Sequence, residues 1–260
     1  MRVAVTGARG YVGSRLVRRL CEDGHEVQEL NRPAFGLEQA DSAAVNGADA
    51  LVHCAWDFDA RSRDDIRRIN VEGSKRLLSA AGDAGAKLVF VSTLSAFPGC
   101  RSLYGQAKLE VEERTLELGG IAVRPGLVWG SQPAGLYGAL VKLASLPVLP
   151  SIAGAKKLHL AHEDDLAALV ARLLEAPLQP GTIVAAAPEP LSFREILRRL
   201  GAKRLVPLPW RLPWAGLRTL ELAGLRPRFR SDSLVSLVSL DETPFASGAA
   251  PPFPFRPFAP

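Results

Sequence analysis

Apolar residues in this chain alternate between strand-like runs and helix-spaced faces. Residues 1–5 hold a short β-branched run, expected of a strand buried on both faces. From Tyr11 the period changes: Val12, Leu16, Val17 and Leu20 fall on one helical face, with Arg15, Arg18 and Arg19 on the other. Gly24 ends that helix, and residues 25–30 read as the second strand. Residues 50–55 and 87–91 are continuous apolar runs, hence central parallel strands, and 121–123 reads as a further one. A polar loop over 57–68 enters a helix that continues to about residue 81, and a second helix runs from about 104 to 118. Residues 33–49 are too few and too poor in strand formers for a regular crossover, so that connection reads as trimmed. The alternation predicts an α/β fold, a Rossmann-type doubly wound parallel sheet.

Beyond Ser131 the texture changes. The spacing predicts a helix over 135–146, a proline-punctuated loop to 154, a short strand over 157–160 and a helix over 163–175 with Asp164 and Asp165 in its first turn. A strand follows over 182–186, then a helix to residue 200 that opens on a Ser192/Glu195 capping box. Residues 205–213 read as extended, 217–225 and 231–240 as two final helices, and PPFPFRPFAP as an extended tail. The expected organisation is a dinucleotide-binding domain over 1–130 with a returning segment near 155–187. A small C-terminal substrate lobe covers mainly 131–250, and the Pro-rich tail 251–260.

Composition adds little to this picture. At 260 residues and 47% hydrophobic, the chain can bury one large α/β core with a small second lobe. The net charge of +5 suits an anionic cofactor or substrate. The arginines read as scattered along helical faces, with no Lys/Arg block and interleaved aromatics, so no nucleic-acid partner is expected. Cys21, Cys54 and Cys100 have neither metal-ligand spacing nor an even count for disulfides, and no metal is expected. The longest apolar candidate for a membrane span, 136–152, is broken by Lys142, Pro147 and Pro150, and the first strand starts at Met1. A cytoplasmic protein with no membrane partner is the expectation.

Candidate chemistry gathers at the strand ends. Gly7, Gly10 and Gly13 lie between the first strand and the first helix, where backbone N–H groups cradle a pyrophosphate. Ala8, Arg9, Tyr11 and Val12 belong to the same turn. Asn31 and Arg32 follow the second strand, where an acid would favour NAD by accepting from the ribose 2′-hydroxyl. With no acid there, Arg32 and Arg9 can pair with a 2′-phosphate, which favours NADP; the alternative is two solvated surface arginines. Asp41 reads either as an adenine-edge residue or as a helix cap. Ala55 and Trp56 stand at the end of the third strand, and Ser92-Thr93-Leu94-Ser95 makes a hydroxyl-rich patch at the end of the fourth. Tyr104 and Lys108, four apart, project from one helical face.

These segments together resemble the short-chain dehydrogenase/reductase superfamily. Tyr104-Gly105-Gln106-Ala107-Lys108 matches its YxxxK motif, and Gly7, Gly10 and Gly13 match the TGxxGxxG turn of its extended branch, the NAD-dependent epimerase/dehydratase family. His53-Cys54-Ala55-Trp56 resembles that family's HxAA segment, Asn70-Val71-Glu72-Gly73 its NxxG helix, and Arg124-Pro125 through Val128-Trp129-Gly130 its RPxxVYG segment. The stretch 160–165 resembles its HVxD segment.

The resemblance implies hydride transfer at a hydroxyl/carbonyl carbon, with Tyr104 as acid/base and Lys108 stabilising its phenolate and holding the nicotinamide ribose. Thr93 or Ser95 would be the substrate-binding hydroxyl, and Pro125 and Val128 would line the nicotinamide side. Three readings stay open: NAD(P)-dependent oxidation or reduction of a small-molecule hydroxyl or carbonyl, epimerisation through transient oxidation, and a non-catalytic dinucleotide-binding sensor or assembly subunit. The acid/base pair used by sugar dehydratases is absent, since Leu94 and Ser95 stand in its place. A homodimer through the helices carrying 65–81 and 104–118 is implied by the family resemblance alone.

Overall fold

The computed structural model describes residues 1–40, 42–60, 62–176, 179–225, 227 and 229–260. In chain order the elements begin β1 (Arg2–Thr6), α1 (Tyr11–Glu22) and β2 (Glu26–Leu30). Two single 3-10 turns, Leu37–Gln39 and Ser42–Val45, then lead to β3 (Ala50–His53). A short α2 (Arg63–Asp65) runs through the π-helical segment Ile66–Glu72 into α3 (Gly73–Asp83). β4 (Lys87–Val91), α4 (Leu103–Glu117), β5 (Ile121–Pro125), β6 (Leu127–Trp129), α5 (Gly135–Ala144) and β7 (Leu149–Ala153) follow. The rest comprises β8 (Leu160–His162), α6 (Glu163–Glu175), β9 (Gly181–Ala185), α7 (Phe193–Arg199), β10 (Leu205–Pro209), α8 (Arg211–Leu222), α9 (Ser231–Val238) and α10 (Pro244–Ser247).

Six strands form one parallel sheet in the order β2-β1-β3-β4-β5-β9. β1 lies between β2 and β3, so the winding reverses beside it, and the crevice beyond its C-terminal end is where such sheets take ligands. The period of two along β1 explains the layering. Val3 and Val5 join a core with Leu16 and Leu20 of α1 and with Leu166, Leu169 and Val170 of α6. Ala4, on the opposite face, joins Leu77 and Leu78 of α3 and Val111 of α4. The trimmed crossover is borne out, since among the described residues only the two 3-10 turns lie between β2 and β3. Leu37 in the first of them is buried beneath α3, and Gly73 lets them approach: a Cβ on Gly73 would lie 2.4 Å from the Leu37 carbonyl oxygen.

A third apolar cluster, among them Trp129, Leu140, Leu149, Ile196, Leu234 and Phe258, lies under β7, β10, α5, α7 and α9. Here the structure departs from the sequence expectations. β6 arises where no strand is expected and pairs with β8, and the strand expected at 157–160 lies at Leu160–His162 instead. Leu158 forms a separate antiparallel bridge to Leu191. The expected loop before residue 154 contains β7, which pairs in parallel with β10. Pro150, Pro207 and Pro209 are tolerated because in a two-stranded sheet each strand is an edge. α8 starts at Arg211, six residues early, with Pro213 in its first turn, where a missing N–H costs nothing. α7 opens on the expected capping box, with both the Ser192 and Glu195 hydrogen bonds made.

The tail is extended, as expected, yet pinned. Phe255 and Phe258 are buried, Arg199 donates to the Phe258 carbonyl at 2.7 Å, and Arg256 donates to Asp165 from both backbone and guanidinium.

Candidate active site

Contacts at its glycines shape the loop between β1 and α1. Gly7 adopts φ +66° and donates to the Leu30 carbonyl at 2.9 Å. A Cβ at Gly13 would lie 2.1 Å from the Gly7 oxygen, and one at Gly7 would lie 2.9 Å from the Ala55 Cα. α1 begins at Gly10 with no capping side chain and no acid in its first turn. Its positive end therefore faces the crevice with the amides of Tyr11 and Val12, a cradle suited to a pyrophosphate. Ala8 and Val12 pack into the core behind it. The Tyr11 ring turns away toward Glu163, and burial together with that carboxylate raises its phenol pKa. Burial alone would raise Glu163, but the Arg15 guanidinium at 2.8 Å and the hydrogen bonds from Ser131, with Tyr11 nearby, hold it below the usual carboxylate range.

A cleft of about 290 Å³ opens beside this loop, lined in part by Gly7, Asn31, Arg32, Trp56, Asp57 and Phe58. The Asn31 carboxamide oxygen accepts from the Arg9 amide at 2.8 Å and fastens the loop to the end of β2. Arg32 pairs with Asp57, a residue the sequence analysis did not single out although it follows Trp56 directly. Asp41 lies outside the described residues. The floor at β1 and β3 is a polar relay: Thr6 Oγ1 accepts from the amides of Cys54 and Ala55 at 3.1 Å each. Its own proton then goes to His53 Nδ1 at 2.7 Å, leaving His53 Nε2–H to donate to Ser74 at 2.8 Å. Burial, helped by the charge on Lys108, lowers His53 to about 3, so it stays neutral.

α4 brings Tyr104 and Lys108 to the same crevice. Its N-terminus is capped by the Ser102 hydroxyl, which accepts from Gly105 at 3.1 Å. Asp232 of α9 accepts from the amides of Leu103 and Tyr104 at 2.9 and 3.2 Å. No sequence signal pointed to Asp232, more than a hundred residues away. Lys108 is buried, donates to the Val91 carbonyl at 2.8 Å, and has its ammonium 4.4 Å from the Trp56 ring centre and 4.5 Å from that of Phe90. Burial brings it down to about 7. One turn further on, Glu112 is held by Ser92 and by Arg124, whose guanidinium donates at 2.6 and 3.0 Å. This buried pair ties α4 to β5.

Of the two hydroxyls left open, Thr93 stands near enough to the Tyr104 phenol to oppose the rise of its pKa, while Ser95 donates its backbone amide to Thr93 Oγ1 at 3.2 Å. Burial pushes Tyr104 up to about 12, with Thr93 opposing. Trp56 meets the Tyr104 ring edge-on at 5.6 Å. Phe58, 64% exposed, lies 6.1 Å from it, a neighbour the sequence analysis missed. Pro125 accepts from the Leu94 amide at 3.0 Å and so ties the hydroxyl patch to β5, and Val128 packs half-buried behind it.

A parallel sheet with a glycine-rich turn at its switch point is the architecture of dinucleotide-binding α/β folds. The chain belongs to the NAD dependent epimerase/dehydratase family, whose model matches residues 3–186. It is 31% identical over 223 residues to the uncharacterized protein Rv2047c of Mycobacterium tuberculosis, a match covering 80% of this chain but about a quarter (24%) of that protein. It is 29% identical over 195 residues to a ceramide reductase of Caulobacter vibrioides, covering 68% of this chain and 62% of that one. The fold matches a dTDP-4-dehydrorhamnose reductase of Bacillus anthracis in complex with NADP, with a TM-score of 0.70 and 19% identity over 90% of this chain and 97% of that one. Proteins similar to this chain thus include a ceramide reductase and a 2-alkyl-3-oxoalkanoate reductase and, in fold, a UDP-N-acetylglucosamine 4-epimerase.

Proposed function

We propose that the protein is an NADP-preferring carbonyl reductase for an apolar or amphiphilic small molecule. The observation that carries the reading is the Tyr104 phenol. Held near 12 by burial and met by Thr93, it keeps its proton at neutral pH and is poised to give it up. The nicotinamide cofactor, when bound, supplies the hydride. Tyr104 protonates the oxygen that the hydride leaves electron-rich, and the Thr93 hydroxyl holds that oxygen as charge develops. Lys108 supports the phenol across one helical turn and restores charge balance as the proton leaves. Ser95 takes no part.

Support for the apolar substrate comes from Phe58 and Trp56 beside Tyr104 and from the likeness to a ceramide reductase. Support for NADP comes from Arg32 in the lining of the cleft and from Arg9 in the loop that Asn31 fastens beside it, with no acid directly after β2. The test follows NADPH absorbance over a panel of long-chain ketones and sugar-nucleotide ketones. Tyr104→Phe lowers kcat by at least about 10³-fold and Thr93→Ala by about 10²-fold, while Ser95→Ala stays within about twofold. Replacing Arg9 and Arg32 by alanine weakens NADPH binding about tenfold or more and leaves NADH nearly unchanged. Unaltered turnover in Tyr104→Phe would sink the proton assignment. A cofactor that dialysis cannot remove, with no net NADPH consumption, would favour epimerisation.

A further inference from the structure

The strongest unexplained feature lies on α8, away from the crevice. Of nine large hydrophobic residues that stand exposed among the described residues, four fall within 212–225: Leu212 at 61%, Leu220 at 42%, Leu222 at 74% and Leu225 at 55%. Helical spacing puts Leu212, Leu220 and Leu222 on one broad outer arc with Ala215, Gly216 and Thr219, all exposed and none charged. Trp214 and Leu217 take the inner face and pack on the lobe core. Glu221, the single acid of the helix, is turned inward and accepts from the Ser231 amide and hydroxyl at 2.9 and 2.6 Å. Arg211 and Arg218, both exposed, border the apolar arc, and Arg211 lies 5.9 Å from the Trp210 ring centre.

Net charge gathers in the same stretch of sequence. Residues 201–230 contain seven basic side chains and one acid, a net +6, whereas the whole chain carries +5. The remaining 230 residues are therefore net −1. The arginines are scattered along the chain, but the net positive charge belongs to this one segment, where they meet a single acid. An apolar helical face bordered by arginines, with its one acid turned inward toward Ser231 and Arg218, has the composition of a helix that lies in the headgroup plane of an anionic bilayer. Among the described residues no helix is long and apolar enough to cross a membrane, and a helix lying flat needs no such length.

We propose that the outer face of α8 docks the protein on an anionic lipid surface. Leucines 212, 220 and 222 enter the interface and Arg211 and Arg218 meet the headgroups. α8 packs on α9, whose Asp232 holds the N-terminus of the Tyr104 helix, so a docked α8 is joined to that helix through one intervening element.

Flotation of the full chain with vesicles tests this, using phosphatidylcholine with and without phosphatidylglycerol, at low and high salt. The wild type floats with the anionic vesicles at low salt and releases at high salt. Leu212→Glu with Leu222→Glu lowers the partition at least about tenfold. Arg211→Gln with Arg218→Gln abolishes the preference for phosphatidylglycerol. All four positions are exposed, so thermal melting stays within about 2 °C of wild type, and Leu222→Glu alone serves if the double change unfolds. Equal partition of wild type and Leu212→Glu/Leu222→Glu, or no flotation on anionic vesicles, overturns the proposal. So does concentration-dependent self-association that this pair of changes abolishes in a protein that ignores vesicles, which gives the face to a second copy. Flotation needs no turnover, so its failure and that of the reductase reading are told apart.

Discussion

Two buried bases, His53 and Lys108, lie within reach of one crevice, and both titrate below their ordinary range. The unfolded chain binds more protons than the folded one between about 3 and 6.5 for His53, and between about 7 and 10.5 for Lys108. Stability therefore rises with pH across both windows. In urea titrations of the cofactor-free protein, the midpoint climbs from pH 5 to pH 9, and Lys108→Met removes the part above pH 7 while leaving the part below it. Tyr104, raised to about 12, gives the opposite sign at the alkaline end, where stability falls above pH 10. The same phenol predicts a rate asymmetry: carbonyl reduction stays flat from pH 6 to 9, whereas alcohol oxidation, which needs the phenolate, rises with pH over that range. Oxidation that is flat with pH would show that another base serves. Tyr104 and Lys108 were legible in the sequence because their spacing of four is local. The choice of Thr93 over Ser95 was not, since residues two apart on an extended segment share a side.

At the scale of the element, α4 carries the proposed acid/base pair, and its start is held from outside. Ser102 supplies a local cap, but the carboxylate that takes the Leu103 and Tyr104 amides comes from α9. Asp232→Ala leaves two amides unpaired at the end of the catalytic helix, which costs about 1 kcal/mol of stability. The expected signature is a kcat lowered about tenfold with the KM for NADPH unchanged, while Asp232→Asn, which keeps one acceptor, recovers most of the rate. A KM effect alone would mean that Asp232 serves binding and not the placement of Tyr104. The capping box of α7 was readable because its partners are three residues apart. Asp232 was not, because a cap supplied across the fold leaves no periodicity. The prolines of β7 and β10 misled for a related reason, since whether a strand is an edge depends on its neighbours.

For the whole molecule, the tail closes the packing. Phe258 is buried against Trp129 and Tyr137 at ring separations of 5.1 and 6.3 Å, and Arg256 pairs with Asp165 at the start of α6. Phe258→Ala is expected to cost about 3 kcal/mol or more, lowering Tm by roughly 6–12 °C. A Tm within about 2 °C of wild type would mean that the tail rests on the lobe without supporting it.

What the chain determined by itself was every feature built from near neighbours. These are the period-two and period-3.6 runs that make the parallel sheet, the glycines between β1 and α1, the Tyr104–Lys108 spacing and the shortened crossover. Each depends on sterics or hydrogen bonds within one or two turns, so composition and spacing suffice. Tertiary structure alone decided that Thr93 stands beside the Tyr104 phenol, that Arg32 leans on Asp57, that the carboxylate at the start of α4 comes from α9, and that one face of α8 stays uncovered. Those outcomes depend on which surfaces meet after the chain has closed on itself, and no local pattern records that.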